Sequence, residues 1–407
     1  MAASWLPDLR AGSVFVSPTS IVAGAGASRQ AGDLVRGRLR APEGTVLVVA
    51  DDVVLNSELA DPALESLVTA GYRTEIIHGL GSEPNSEVID RAAGTSRGAG
   101  ALAVVGIGGG SVLDSAKLLA LLLRNPGSVA QWVGAVEPQA GVAPLLLMPT
   151  TCGTGSEATR IAMVTVDGAK RASSCASFIP DTVVIDQNLV ASLPSGVVAS
   201  TGMDALAHAA ESLMSTARSP MSAHHALRAI ELLTGNLELA TRGDSDSLAS
   251  CLWASHLAGQ ALNAGVVLGH SLAYCLAYEC PMPHGTACAL VLPYCIAYNA
   301  GLDDGLARAL ALSLTSGSSA SLRAAAATVK DLTARIGLPT TLDEAGVAPG
   351  TEESLAERCV TEYPRPTNPE PLHVGRLTAL ARAMRSGDLD TAFAAGRQCS
   401  ASRSVPK

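Results

Sequence analysis

Apolar positions in the first half of the chain come in short unbroken runs separated by amphipathic stretches. Residues 45–50, 74–78, 101–105, 145–149 and 182–186 read as strands, with 14–17 and 20–23 as two shorter ones ahead of them. Residues 60–70, 86–97 and 112–123 carry helical spacing between them. Strands that are apolar at every position must be shielded on both faces, which predicts a parallel sheet with helices on either side. After Leu193-Pro194 the pattern becomes helical throughout, at 209–215, 223–233, 247–263, 306–314, 321–336 and 371–384. Gly235-Asn236, Gly301-Leu302, Gly337-Leu338-Pro339 and Pro364-Arg365-Pro366 read as breaks. The expectation is an α/β N-terminal dinucleotide-binding domain over 1–193 and an all-α C-terminal domain over 194–407.

Composition narrows the class. With 407 residues, 48% hydrophobic and 16% charged, the chain can bury a large core in two domains. A net charge of −9 with no Lys/Arg block argues against nucleic acid as a partner. No run approaches the roughly 18 apolar residues of a membrane span. Residues 1–10 lack the basic-then-apolar pattern of a secretion signal, and nine cysteines sit mostly in apolar sequence, so a reducing cytoplasm is expected. Cys275, Cys280, Cys288 and Cys295 follow no paired metal spacing and read as core residues.

Two stretches carry chemistry. Gly106-Ile107-Gly108-Gly109-Gly110-Ser111 joins a strand to a helix bearing Asp114 and Lys117, a setting in which backbone N–H groups seat a pyrophosphate. Pro149-Thr150-Thr151-Cys152-Gly153-Thr154-Gly155-Ser156-Glu157 repeats the device after the next strand. Asp51-Asp52 follows the strand ending at Ala50, where a carboxylate accepts from ribose hydroxyls and repels a 2′-phosphate, favouring NAD(H) over NADP(H). Further on, Asp204 and His208 lie four apart on a helical face, and His270 and His284 add two imidazoles in apolar surroundings. One carboxylate and three imidazoles suit Fe2+ or Zn2+.

The runs Gly108-Gly109-Gly110-Ser111-Val112-Leu113-Asp114-Ser115-Ala116-Lys117, Pro149 to Glu157, and Thr201-Gly202-Met203-Asp204-Ala205-Leu206-Ala207-His208 together resemble the iron-containing (group III) alcohol dehydrogenases. Pro180-Asp181, Asp186, Leu292-Pro293, Asn299 and Thr367-Asn368-Pro369 extend the resemblance over nearly the whole chain. It implies a dehydroquinate synthase-like dinucleotide domain and a helical metal domain, in a homodimer. The implied metal ligands are Asp204, His208, His270 and His284. The implied nucleotide contacts are Asp51, Asn85, Gly109, Gly110, Ser111, Asp114, Thr150, Thr151 and Lys170, the last near the nicotinamide. Where many relatives place a second histidine four residues after the third ligand, this chain has Tyr274, a pattern similar to the phosphonoacetaldehyde reductase branch. Tyr274 is a candidate proton donor there, or a packed aromatic. The implied reaction moves hydride between NAD(H) and a small alcohol or aldehyde, and aromatics at only 3% argue against a bulky aromatic substrate. Arg160 and Lys170-Arg171 are candidates to meet an anionic substituent. A lyase of the dehydroquinate synthase type and a non-catalytic NAD-binding protein are the rival classes.

Overall fold

The computed structural model describes residue 7 and residues 12–39, 41–81 and 83–397. Most of the stretch 1–10, and the tail 400–407, lie outside the described residues. One compact unit spans Val16–Leu193, and the other begins at Pro194 and includes the described residues before Val16. In that second unit Phe15 stacks on His225 at 5.1 Å. The strand expected over 14–17 therefore does not form: Val14 is exposed, and pairing starts only at Ser20.

The α/β unit runs β1 (Ser20–Ala23), α1 (Ala31–Leu39), β2 (Gly44–Ala50), α2 (Asp52–Asn56), α3 (Asp61–Thr69), β3 (Tyr72–Ile77), α4 (Ser86–Gly98), β4 (Ala101–Gly108), α5 (Gly110–Arg124), β5 (Gly134–Ala135), β6 (Leu145–Pro149), β7 (Ile161–Val166), β8 (Ala169–Ser174) and β9 (Thr182–Ile185). Six strands form a parallel sheet in the order β1-β9-β6-β4-β2-β3. Alternate residues of one strand feed two cores. Leu47 and Val49 pack with Ile89 and Leu113 on one side, and Val46 and Val48 with Ala31 and Leu67 on the other. That double burial is why the strands read as continuous apolar runs. The chain leaves β2 for β3 on one flank and returns to β4 on the other, so the order reverses beside β2, where open α/β sheets bind ligands. β7 and β8 form a hairpin through Asp167 (φ 51°) and Gly168 (φ 72°), the positive pair a two-residue turn requires.

One boundary differs from the sequence reading. β4 does not stop at Val105 but continues through Gly106, Ile107 and Gly108, leaving Gly109 alone between strand and helix. A Cβ on Gly106 would lie 2.8 Å from both Ala116 and Leu147, so these glycines serve close packing of α5 on the sheet as well as phosphate access.

The second unit consists of α6 (Ser195–Met214), α7 (Pro220–Thr241), α8 (Ser245–Leu262), α9 (Leu268–Glu279), α10 (His284–Tyr298), α11 (Asp304–Leu314), α12 (Leu322–Arg335), α13 (Glu352–Thr361), α14 (Val374–Ser386) and α15 (Leu389–Arg397). α7 passes through Gly235-Asn236, which therefore is no break. Leu233, Leu237 and Ala240 keep one buried face across it, and that burial outweighs the roughly 1 kcal/mol a helical glycine costs. No helix among the described residues is long and apolar enough to cross a membrane.

Candidate active site

Helix α6 is buried from Val198 almost without interruption to Met214, and this burial is what makes its two polar ligand candidates unusual. Asp204 and His208 emerge one turn apart, while His270 comes from the first turn of α9 and His284 opens α10. The Nε2 atoms of His208, His270 and His284 each stand 3.7 Å from Asp204 Oδ1. That oxygen is buried and makes no hydrogen bond. Burial alone would raise the Asp204 carboxyl, but His208, His270 and His284 outweigh it and hold it well below the ordinary carboxylate range. Donors bound to one ion by bonds of about 2 Å stand roughly 3.5 Å apart, so the 3.7 Å spacings to Asp204 suit a divalent cation; Asp204, His270 and His284 also lie within 4.8 Å of one another, a group that does not include His208. Gly285 lets α10 approach α6 closely, since a Cβ there would lie 2.0 Å from Ser200 O.

Glu211, which the sequence reading passed over, holds this arrangement in place. It is fully buried on α6, one turn beyond His208, and its Oε1 lies 2.6 Å from His270 Nδ1. Its Oε2 accepts from the backbone N–H groups of Val267 and His270. A carboxylate on the far ring nitrogen fixes the imidazole tautomer and presents Nε2 to a metal. Gly269 makes room for it: a Cβ there would meet Glu211 Oε1 at 2.5 Å. Asn368 Oδ1 accepts from Leu268 N at 3.0 Å and from Asn299 Nδ2 at 3.1 Å, so the start of α9 is tied to two further elements. The signal in the sequence was a lone acid three residues after His208 in an alanine-rich helix.

Two more side chains join the cluster. Tyr274 stacks on His284 at 5.2 Å and 17° and meets His270 edge-on at 6.3 Å, so it is on the ligand side of α9. Cys288 is buried, as its apolar context suggested, but it is not remote from the chemistry. Its Sγ is 3.6 Å from His284 Nε2 and 3.9 Å from His270 Nε2, and it can form a donor group with Asp204, His270 and His284. Burial pushes its thiol up to about 12.

In the α/β unit, register brings three chain ends together. Ala50 pairs with Ile107 and Gly108 with Pro149, so Asp51, Gly109 and Thr150 follow neighbouring strand ends. Gly110 and Ser111 start α5, and a Cβ on Gly109 would touch Thr151 at 3.3 Å. Asp51 caps α2 by accepting from Val54 N at 2.8 Å, and Asn85 caps α4 by accepting from Val88 N at 2.9 Å. Asn85 also bridges to Thr165, which faces Lys170 in the hairpin. Lys170 pairs with Glu83 at 3.1 Å on the surface. Asp114 faces inward, accepting from Ser156 Oγ at 2.5 Å and Met163 N at 2.9 Å, and burial raises its carboxyl. Lys117, beside it and fully buried, donates to Ser156, Thr159 and the Ile161 carbonyl.

Comparison with known proteins assigns these features to one lineage. Residues 18–187 match the iron-containing alcohol dehydrogenase family, and residues 198–384 match the C-terminal domain of the same family. The chain belongs to the iron-containing alcohol dehydrogenases. It is 33% identical to long-chain-alcohol dehydrogenase 1 of Geobacillus thermodenitrificans, over 78% of this chain and 83% of that one. It is 32% identical to sulfoacetaldehyde reductase of Bilophila wadsworthia, over 66% of this chain and 70% of the relative. Among solved structures, 1,3-propanediol oxidoreductase superposes with a TM-score of 0.86 at 26% identity, covering 92% of this chain and all of that one. As a member of this family the chain is an oxidoreductase acting on CH–OH groups, and NAD(H) and iron are its cofactors.

Proposed function

We propose that this enzyme reduces a small aldehyde, in preference an anionic one, with NADH, using Asp204, His208, His270 and His284 to hold the metal. The observation that carries the reading is Asp204 Oδ1, buried without a hydrogen bond at 3.7 Å from three imidazole nitrogens. A divalent ion held there supplies Lewis acidity towards the carbonyl oxygen, and the nicotinamide supplies the hydride to the carbonyl carbon. Glu211 keeps His270 Nε2 directed at the site, and Tyr274, stacked on His284, holds a phenol that donates a proton to the product oxygen or orients the substrate. Gly109, Gly110 and Ser111 at the start of α5, with Thr150 and Thr151, seat the pyrophosphate. Asp51 at the end of β2 meets the ribose hydroxyls and disfavours a 2′-phosphate, while Asn85 and Lys170, on linked segments, approach the nicotinamide side. Asp114 acts through Ser156 and β7. Eight free thiols among the described residues accord with a cytoplasmic enzyme, and a homodimer is the assembly we assign.

The decisive experiment replaces His270 or His284 with Ala in iron- or zinc-reconstituted protein. Bound metal and NADH oxidation with aldehydes should both be nearly lost while unfolding stays cooperative. Full turnover in metal-free buffer would refute the ligand set.

A further inference from the structure

Among the described residues the Arg365 side chain has no hydrogen bond or ion pair, although its Nε is buried. Buried guanidinium nitrogens without a partner also occur on Arg218, Arg358 and Arg376, but each of those side chains bonds a protein oxygen through another nitrogen. The acids nearest Arg365 in the chain are committed elsewhere. Glu362 accepts from Arg358 at 2.9 and 3.0 Å, and Glu370 faces Arg376 at 3.8 Å. Arg97, Arg218 and Lys330 are half-buried without an acid too, but each donates to a backbone carbonyl; Arg365 has only the face of an aromatic ring, and burying such a group without an acceptor is unfavourable.

Its place in the fold gives that exception a use. The Arg365 guanidinium carbon lies 5.7 Å from the centre of the Tyr274 ring, and the same ring stacks on His284. The Tyr274 ring therefore touches both the cation and the donor cluster. The segment is held firmly: Pro364 and Pro366 restrict the backbone on both sides, Ser271 Oγ donates to the Tyr363 carbonyl at 2.6 Å, and Asn368 is locked to Asn299. Tyr363 packs against Tyr274 at 5.3 Å.

We propose that Arg365 is the specificity-determining residue that binds an oxyanion on the substrate, so that the aldehyde taken carries a sulfonate, phosphonate or carboxylate one or two carbons from its carbonyl. The inference rests on the reading of this centre as an aldehyde-reducing site. A planar guanidinium offers two parallel N–H donors to such a group, and its contact with the ring that stacks on His284 puts it near the donor cluster. The similarity to a sulfoacetaldehyde reductase accords with this chemistry.

The test uses the full-length, metal-reconstituted protein and follows NADH oxidation with sulfoacetaldehyde, phosphonoacetaldehyde, succinic semialdehyde and neutral propanal. Arg365→Gln should lower kcat/KM for the charged aldehydes by on the order of a hundredfold, mainly through KM, and for propanal far less, with metal content unchanged. Arg365→Lys should fall between, because an ammonium keeps the charge but loses the fork. Equal losses on charged and neutral aldehydes, or no loss, would overturn the proposal; the set of charged aldehydes that responds identifies the oxyanion. Should Arg365→Gln not fold, ethanesulfonate and methylphosphonate must still inhibit wild-type propanal reduction competitively, and absence of that inhibition overturns it equally. A wild-type protein that oxidises NADH with none of the four aldehydes would instead refute the underlying aldehyde-reductase reading.

Discussion

Asp204 Oδ1 and Glu211 Oε1 are both buried carboxylate oxygens in one helix, yet they do opposite things. The first has no hydrogen bond and faces three imidazoles, whereas the second already holds the far nitrogen of one of them. Glu211→Gln keeps the volume but weakens that hold, so metal affinity should fall by on the order of 10- to 100-fold when titrated calorimetrically, with the fold retained. Tyr274→Phe keeps the stack on His284 and removes only the hydroxyl. Turnover should drop by on the order of ten- to a thousandfold with metal content unchanged, and wild-type kinetics would reduce Tyr274 to a packed aromatic. The four ligand candidates were legible because Asp and His in apolar sequence have few other uses. Glu211 was not, since its partner is 59 residues away and nothing local connects them.

At the scale of elements, α5 is fastened to the loop after β6 by a buried cation. Burial lowers the Lys117 ammonium from 10.5 to about 8, against the opposing pull of Asp114 and Glu157. The unfolded chain keeps this proton up to about pH 10.5, whereas the folded one releases it near pH 8. Between those values unfolding takes up a proton, so this group makes the native state more stable as pH rises and less stable as pH falls through the window. Urea denaturation of wild type and Lys117→Met at pH 7.5 and pH 10 should show a smaller pH slope in the variant. The elements that escaped the sequence reading have physical reasons. α10 is buried on every side beyond His284, so it carries no polar face from which a helical period can be counted. The glycines of β4 read as a loop because a strand glycine and a loop glycine look alike until the helix packed over them is known.

At the scale of the whole molecule, the candidate metal-binding side chains are drawn from three helices, α6, α9 and α10, and the described cysteines form no cross-link between them. Chelation should therefore leave the far-ultraviolet circular dichroism unchanged while lowering the melting temperature. At a metal concentration about 100 times Kd the ligation adds roughly 2.7 kcal/mol, which corresponds to roughly 5–10 °C for a unit of this size. A melting curve indifferent to chelator would separate the cluster from any metal. The alternation of strands with helices, then helices alone, was readable because strands buried on both faces show as unbroken apolar runs and most of the helices keep a period of their own.

The tethering of α9 also sets an order of assembly. Its first turn is bound by Glu211, which precedes it, and by Asn368, which is translated 98 residues after His270. A nascent chain that has already exposed all four ligand residues still lacks the acceptor that closes the helix start. Until Asn368 is made, the candidate donors therefore stand with only one of the two side chains that tether the start of α9.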